Sequence, residues 1–250
     1  MRKMLFAFGM LLPVTALAQG SLLDMGKAVL QQQMNQPAAP SPSLGTRGQS
    51  LSAADISSGL KEALRQGASA VISRLGRADG FNADPQVHIP LPATLRSVQS
   101  GLKLAGLSGA ADDLELKLNR AAESAAPQAK QIFLNALDRM SLDDARAILN
   151  GPKDSATQFF KRTMTPDLKI AMRPVVDRNV AEAGVVKSYE AMTASAKGLP
   201  MVDEGRAMLT DHVLDYALAG IFRYLAEEEA AIRSDPAKRS TELLRKVFAN

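Results

Sequence analysis

Two histidines and a scattering of carboxylates are the first residues to weigh for acid–base chemistry in this chain, which contains no cysteine. That absence removes thiolate nucleophiles, disulfides, iron–sulfur clusters and thiolate zinc sites together. Any imidazole chemistry must use His88 or His212. The sequence places His212 in the first turn of a long helix, where the positive end of the helix dipole disfavours imidazolium, and both histidines read as structural. No G-x-S-x-G elbow supports a serine triad. Asp112, Asp113 and Glu115 form an acidic cluster without the D-x-D-x-D-G pattern of a calcium loop. Neither a metal nor a cofactor is expected.

Arg120 and Glu123 stand three residues apart, a spacing that serves an ion pair as well as a site. Glu227, Glu228 and Glu229 follow one another on the long helix, and successive residues there point about 100° apart. Either Glu227 or Glu228 is therefore expected to turn toward the core near Arg120 or Arg233. A salt-bridge network between two central helices is the plainer reading; a carboxylate enzyme built from Arg120, Glu123 and Glu227 or Glu228 is the sharper one. No catalytic residue is assigned.

The apolar residues suggest a binding surface. Residues 77–92, RADGFNADPQVHIPLP, interrupt helix with Gly80, Pro85, Pro90 and Pro92 yet retain Phe81, Val87, Ile89 and Leu91. Such a loop either packs as a crossover or covers a pocket. Met164, Met172, Met192, Met201 and Met208, with Phe159, Phe160 and Phe222, supply adaptable apolar surface that fills a core or lines a cavity. The candidate ligand contacts are Phe81, Ile89, Leu91, Arg120, Glu123, Phe159, Phe222 and Glu227.

The elements that must position these residues are helices. With 46% hydrophobic residues the 250-residue chain has material for a core, helix formers dominate, and no run of alternating β-branched residues argues for a sheet. The expected fold is all-α: a single irregular bundle of about nine helices around a long C-terminal helix over residues 210–232. In that helix Val213, Leu214, Ala217, Leu218, Ile221, Phe222 and Leu225 recur at i, i+3, i+4, with Thr210 or Asp211 as cap. Ser52 with Asp55 and Ser141 with Asp144 are capping pairs, and Gly76 is a stop. Pro127 marks a kink or a restart and Pro174 a kink, while Thr165–Pro166 reads as the start of a separate helix. Ser240 or Thr241 caps a last short helix.

Residues 1–18 place Arg2 and Lys3 before the apolar run 4–14 and the small residues Ala16 and Ala18, the pattern of a secretory signal peptide. The run is short against roughly 30 Å of hydrocarbon, so a periplasmic protein without a transmembrane span in its mature chain is expected. Residues 19–50 read as a short amphipathic segment and a flexible tether, and residues 51–250 as the helical domain. The formal charge of +4, less the two charges of Arg2 and Lys3, leaves +2 for the exported chain. That is no basis for nucleic-acid binding, since acids and bases are interspersed.

Several longer motifs carry a resemblance: GLKEAL at 59–64, DGF at 79–81, IPLP at 89–92, LNRAAESAAPQAKQIF, DARAILNGPKDSATQFF and AEEEAAIRSDPAKRSTELLRKVF. Together they resemble the bacterial family catalogued as domain of unknown function 4197, over residues 51–248. The resemblance implies an exported, all-helical protein of Gram-negative bacteria and brings no established activity or catalytic residue. Three functions stay open. A non-enzymatic module could hold an apolar small molecule or lipid beneath the 77–92 loop, an interaction domain could dock an envelope protein through the 19–50 segment, and a carboxylate enzyme is the third.

Overall fold

The computed structural model describes residues 52–194 and 202–235. In chain order the helices are α1 (Ala53–Leu75), α2 (Ala93–Leu104), α3 (Gly109–Ala125), α4 (Ala129–Arg139), α5 (Leu142–Asn150), α6 (Ser155–Val180), α7 (Ala183–Thr193) and α8 (Val202–Ser234), with a 3-10 turn at Ala126–Gln128. No strand occurs among the described residues. The all-α class holds, and the count of about nine helices is not matched. The signal-peptide residues 1–18, the 19–50 segment and the short helix expected after Ser240 lie outside the described residues.

Local signals act where the sequence places them. Ser52 accepts from the Asp55 N–H while Asp55 accepts from the Ser52 N–H, a complete capping box at the start of α1; Ser141 and Asp144 repeat it at α5. Gly76 closes α1, its N–H donating to the Ile72 carbonyl. Pro127 sits in the 3-10 turn where α3 gives way to α4.

Two expectations are corrected. Residues 153–164 and the segment after Pro166 form no separate helices: α6 runs unbroken through Pro166 and Pro174. A proline inside a helix removes one N–H bond, but both prolines lie on the exposed side, where water can serve the freed carbonyl. Meanwhile Phe160, Met164, Leu168, Met172, Val176 and Val180 form an uninterrupted buried i+4 row, and packing that row outweighs two lost bonds. Thr165 is accordingly no cap; its hydroxyl donates back to the Lys161 carbonyl.

The second correction concerns the start of α8, which begins at Val202 and not at residue 210. Gly205 reads as a loop residue but serves close approach: a Cβ there would lie 2.6 Å from the Tyr189 ring. Thr210 is buried in mid-helix and Asp211 pairs with Arg173 of α6 at 2.6 Å, so neither caps anything.

Helix α8 is the axis of the core. It buries Val213, Leu214, Ala217, Leu218, Ile221, Phe222, Tyr224 and Leu225, and α6, α1, α3 and α7 all pack against it. Each fully buried aliphatic or aromatic side chain contributes about 1.5–3 kcal/mol.

Candidate functional site

The most elaborate polar arrangement lies where residues 77–92 cross α3. Glu115, Asn119 and Glu123 recur at i, i+4, i+8 along one side of that helix, and each binds backbone of the loop. Glu123, only 3% exposed, accepts the Phe81 and Asn82 N–H groups on Oε1 at 3.1 and 3.0 Å. Its Oε2 receives Arg120 Nη1 at 2.7 Å. Asn119 treats Ile89 as a neighbouring strand would: its Oδ1 accepts from the Ile89 N–H and its Nδ2 donates to the Ile89 carbonyl, both at 2.9 Å. Glu115 accepts the Leu91 N–H at 3.2 Å and lies 2.9 Å from His88 Nε2. A loop without helix or sheet must satisfy its buried backbone through side chains, and this ladder does so.

The remaining contacts pin the loop from the other side. Arg74 Nη2 and the Tyr224 hydroxyl both donate to Asp84 Oδ2, at 2.8 and 2.6 Å, and the Arg74 guanidinium lies 3.9 Å from the centre of the Tyr224 ring. Burial opposes the Asp84 charge, yet the bonds from Tyr224, the Gln86 N–H and Arg74 hold its carboxyl below the usual range. Burial and the bond to Asp84 push the Tyr224 phenol up to about 12. Asp79 adopts the left-handed region at φ 64°, with its carboxylate held by Arg120 Nη2 at 2.8 Å and Asn82 Nδ2 at 2.9 Å.

Both histidines belong to this clamp. His88 Nδ1 lies 2.9 Å from the Asn82 carbonyl while its Nε2 lies 2.9 Å from Glu115, so the ring bridges the loop backbone to α3. His212 Nε2 donates to the Pro90 carbonyl at 2.7 Å. Burial holds the His212 pKa below the ordinary value, with the nearby Arg96 charge acting the same way. The helix N-terminus expected to do so is not there, since α8 begins ten residues earlier.

The candidate ligand contacts fall into different settings. Phe81, Ile89 and Leu91 are fully enclosed, Phe222 is buried with them in the core, and Gly220 gives Phe81 its seat: a Cβ there would be 2.9 Å from the ring. Arg120 and Glu123 do meet, but Glu123 is spent on the Phe81 and Asn82 N–H groups and Arg120 bridges it to Asp79. Glu227 is exposed and pairs with Arg223 at 3.3 Å. The buried glutamate is Glu229, which accepts the Ala156 and Thr157 N–H groups at the start of α6, each at 2.9 Å. Its partner Arg233, at 2.9 Å, donates to the Ile148 carbonyl at 2.7 Å at the end of α5. One ion pair thus joins a helix C-terminus to a helix N-terminus, with charges matched to both dipoles. Its signal in the sequence is the step Ile221, Leu225, Glu229, which sets a carboxylate on the apolar stripe.

Asp112, Asp113 and Glu115 diverge to separate partners. Asp112 binds the Ser108 hydroxyl, Asp113 binds Lys117 and Ser188, and Glu115 binds His88. Hydrogen bonds from Lys117 and Ser188 hold the Asp113 carboxyl below the usual range. Lys117 also donates to the Gly184 carbonyl at 3.2 Å, so this serine–lysine–aspartate group fastens α3 to α7. No sequence spacing announced Ser188.

Phe159, one of the candidate contacts, borders an open space. A cleft of about 370 Å³ lies at the corner between α5 and α6, within the usual range for small-molecule sites. Ala147, Ile148 and Phe159 give it apolar walls; Asp144, Asp154, Gln158 and Arg162 are its polar groups.

Among known proteins, the family model described as protein of unknown function (DUF4197) matches residues 50–249, and the chain belongs to that family. No curated protein and no solved structure matches it.

Proposed function

We propose that the chain is an exported, non-catalytic binding module of the cell envelope whose ligand enters the α5–α6 cleft. The carrying observation is the contrast in space: the side chains expected to enclose a ligand beneath the 77–92 loop enclose one another, whereas Phe159 faces an open volume of about 370 Å³. Of the polar groups that could have served acid–base catalysis, Glu115, Glu123 and both histidines are engaged in holding backbone, and Arg120 is engaged by the carboxylates of Glu123 and Asp79. Ile148 and Phe159 suit the apolar body of a small amphiphile, and Gln158 and Arg162 suit a hydrogen-bonding head.

Native mass spectrometry of protein purified from its own host is the test. The expected result is a bound small molecule that is lost from Phe159→Ala; protein that arrives empty and stays empty after incubation with an envelope extract would overturn the reading. Export is checked separately. N-terminal sequencing of the periplasmic protein should begin at Gln19, and a cytoplasmic chain retaining Met1 would end that part.

A further inference from the structure

Two buried apolar side chains stand apart from the main core. Ala63 on α1 and Ile232 near the end of α8, 2% and 9% exposed, form a cluster of their own. Clusters detached from a domain's core typically lie beneath a further stretch of chain. Around the pair runs a shallow apolar groove between α1 and α8, with Gly67 one turn beyond Ala63 and Glu228 one turn before Ile232. A Cβ added at Gly67 would meet Ile232 Cδ1 at 3.7 Å and Glu228 Cβ at 3.8 Å, ordinary contact distances. The packing of α8 on α1 therefore tolerates a side chain there, and glycine keeps the groove low.

The chain places its own end at this groove. Leu60 and Arg233 line one end of it, and Arg74 meets Tyr224 beyond the other, so α1 and α8 run antiparallel. Helix α8 ends at Ser234, just past Ile232, and Pro236 favours a change of direction directly after it. A chain that reverses there re-enters along the groove, where Leu60 to Gly67 spans about 10 Å of helix, well within the reach of residues 236–250. Within those residues ELLRKVF at 242–248 sets Leu243, Leu244, Val247 and Phe248 at i, i+1, i+4, i+5, one helical face. Lys238, Arg239, Arg245 and Lys246 against the single acid Glu242 make the segment basic, and the groove it meets carries Glu228. The family model runs from residue 50 to residue 249, so the segment belongs to the same pattern as the two helices.

We propose that residues 236–250 fold back and dock in the α1–α8 groove, with the Leu244 and Phe248 face over Ala63, Gly67 and Ile232. The docked segment buttresses the end of α8, whose Glu229 and Arg233 tie the start of α6 to the end of α5. It stands apart from the α5–α6 cleft and needs no ligand there.

The chain has no cysteine, so Lys246→Cys in the full chain gives one attachment point for a nitroxide label. In the amide NMR spectrum Ala63 and Gly67 should lose most of their intensity to the label and regain it when the nitroxide is reduced, while Leu107 keeps its own. Adding Leu244→Asp and Phe248→Asp should abolish most of that loss, with unmoved Leu118 and Phe133 resonances from the core verifying the fold. Undiminished Ala63 and Gly67 signals would overturn the proposal. So would broadening that the two aspartates leave intact, the mark of a tail sweeping the surface, or broadening centred on Ile148 and Phe159, which would seat the segment in the α5–α6 cleft. Broadening passed from labelled to unlabelled copies in a mixed sample would overturn it as well, by making a second copy of the chain the occupant.

Discussion

Residues 77–92 and the α2 stretch that follows are neighbours in sequence and opposites in physical character. The first has no regular secondary structure, yet Phe81, Ile89 and Leu91 are fully enclosed and side chains of α1, α3 and α8 bind its backbone or polar groups. The second is a regular helix, yet only Leu95 of α2 is buried, with Val98 and Leu102 packed against the core more loosely. Helical hydrogen bonds alone are marginal over 12 residues. Fixity in this protein is therefore expected to follow burial and long-range polar contact, with the irregular loop held more firmly than the helix.

That contrast is most directly broken at Glu123. Glu123→Ala would strand the Phe81 and Asn82 N–H groups and leave Arg120 without its closest partner, so a loss of about 3–5 kcal/mol is expected by chemical denaturation. A loss under about 0.5 kcal/mol would mean the ladder is incidental. Gly220→Ala comes next. Its Cβ would press Phe81 and Val87, at 2.9 and 3.2 Å, costing about 1–3 kcal/mol, of which better helix propensity returns up to about 1 kcal/mol; thermal unfolding should show a net loss.

A pH titration of stability sharpens the comparison further. His212 binds its proton less readily in the folded chain than in the unfolded one, because it is buried against the loop. The stability linked to it is therefore complete above about pH 6.5 and declines as the pH falls through that value toward the depressed folded one. His212→Gln should flatten this part of the profile, and an unchanged profile would remove the histidine from the clamp. The smallest effect belongs to α2: Leu104→Ser should alter stability by less than about 0.5 kcal/mol. In hydrogen exchange the Phe81 and Ile89 amides should be protected longer than those of α2.

Much of the framework was legible beforehand because its causes are local. Ser52 with Asp55 and Ser141 with Asp144 cap by reaching three residues along the chain, and the periodic Leu, Ile and Ala of α8 mark a buried face by repetition alone. The candidate site was legible only in part. Phe81, Ile89 and Leu91 were visible as apolar residues in a proline-rich loop, but whether they cover a cavity or fill it depends on Gly220, more than a hundred residues away. Glu227 falls off the apolar stripe and is exposed, whereas the i+4 step from Leu225 reaches the buried Glu229.

Composition and periodicity on their own determined the helical class and the absence of thiol chemistry, because each is a property of residue types and short spacings, and the longer motifs carried the resemblance to the family. Only the tertiary structure decided that Pro166 and Pro174 lie within one helix, that α8 starts at Val202, and that Glu115, Asn119 and Glu123 spend their polar groups on loop backbone. Those outcomes are settled by free-energy comparisons between distant surfaces: a buried i+4 row against two missing hydrogen bonds, a tyrosine ring against a glycine, backbone amides against carboxylates. Such comparisons exist only once the chain has brought its parts together.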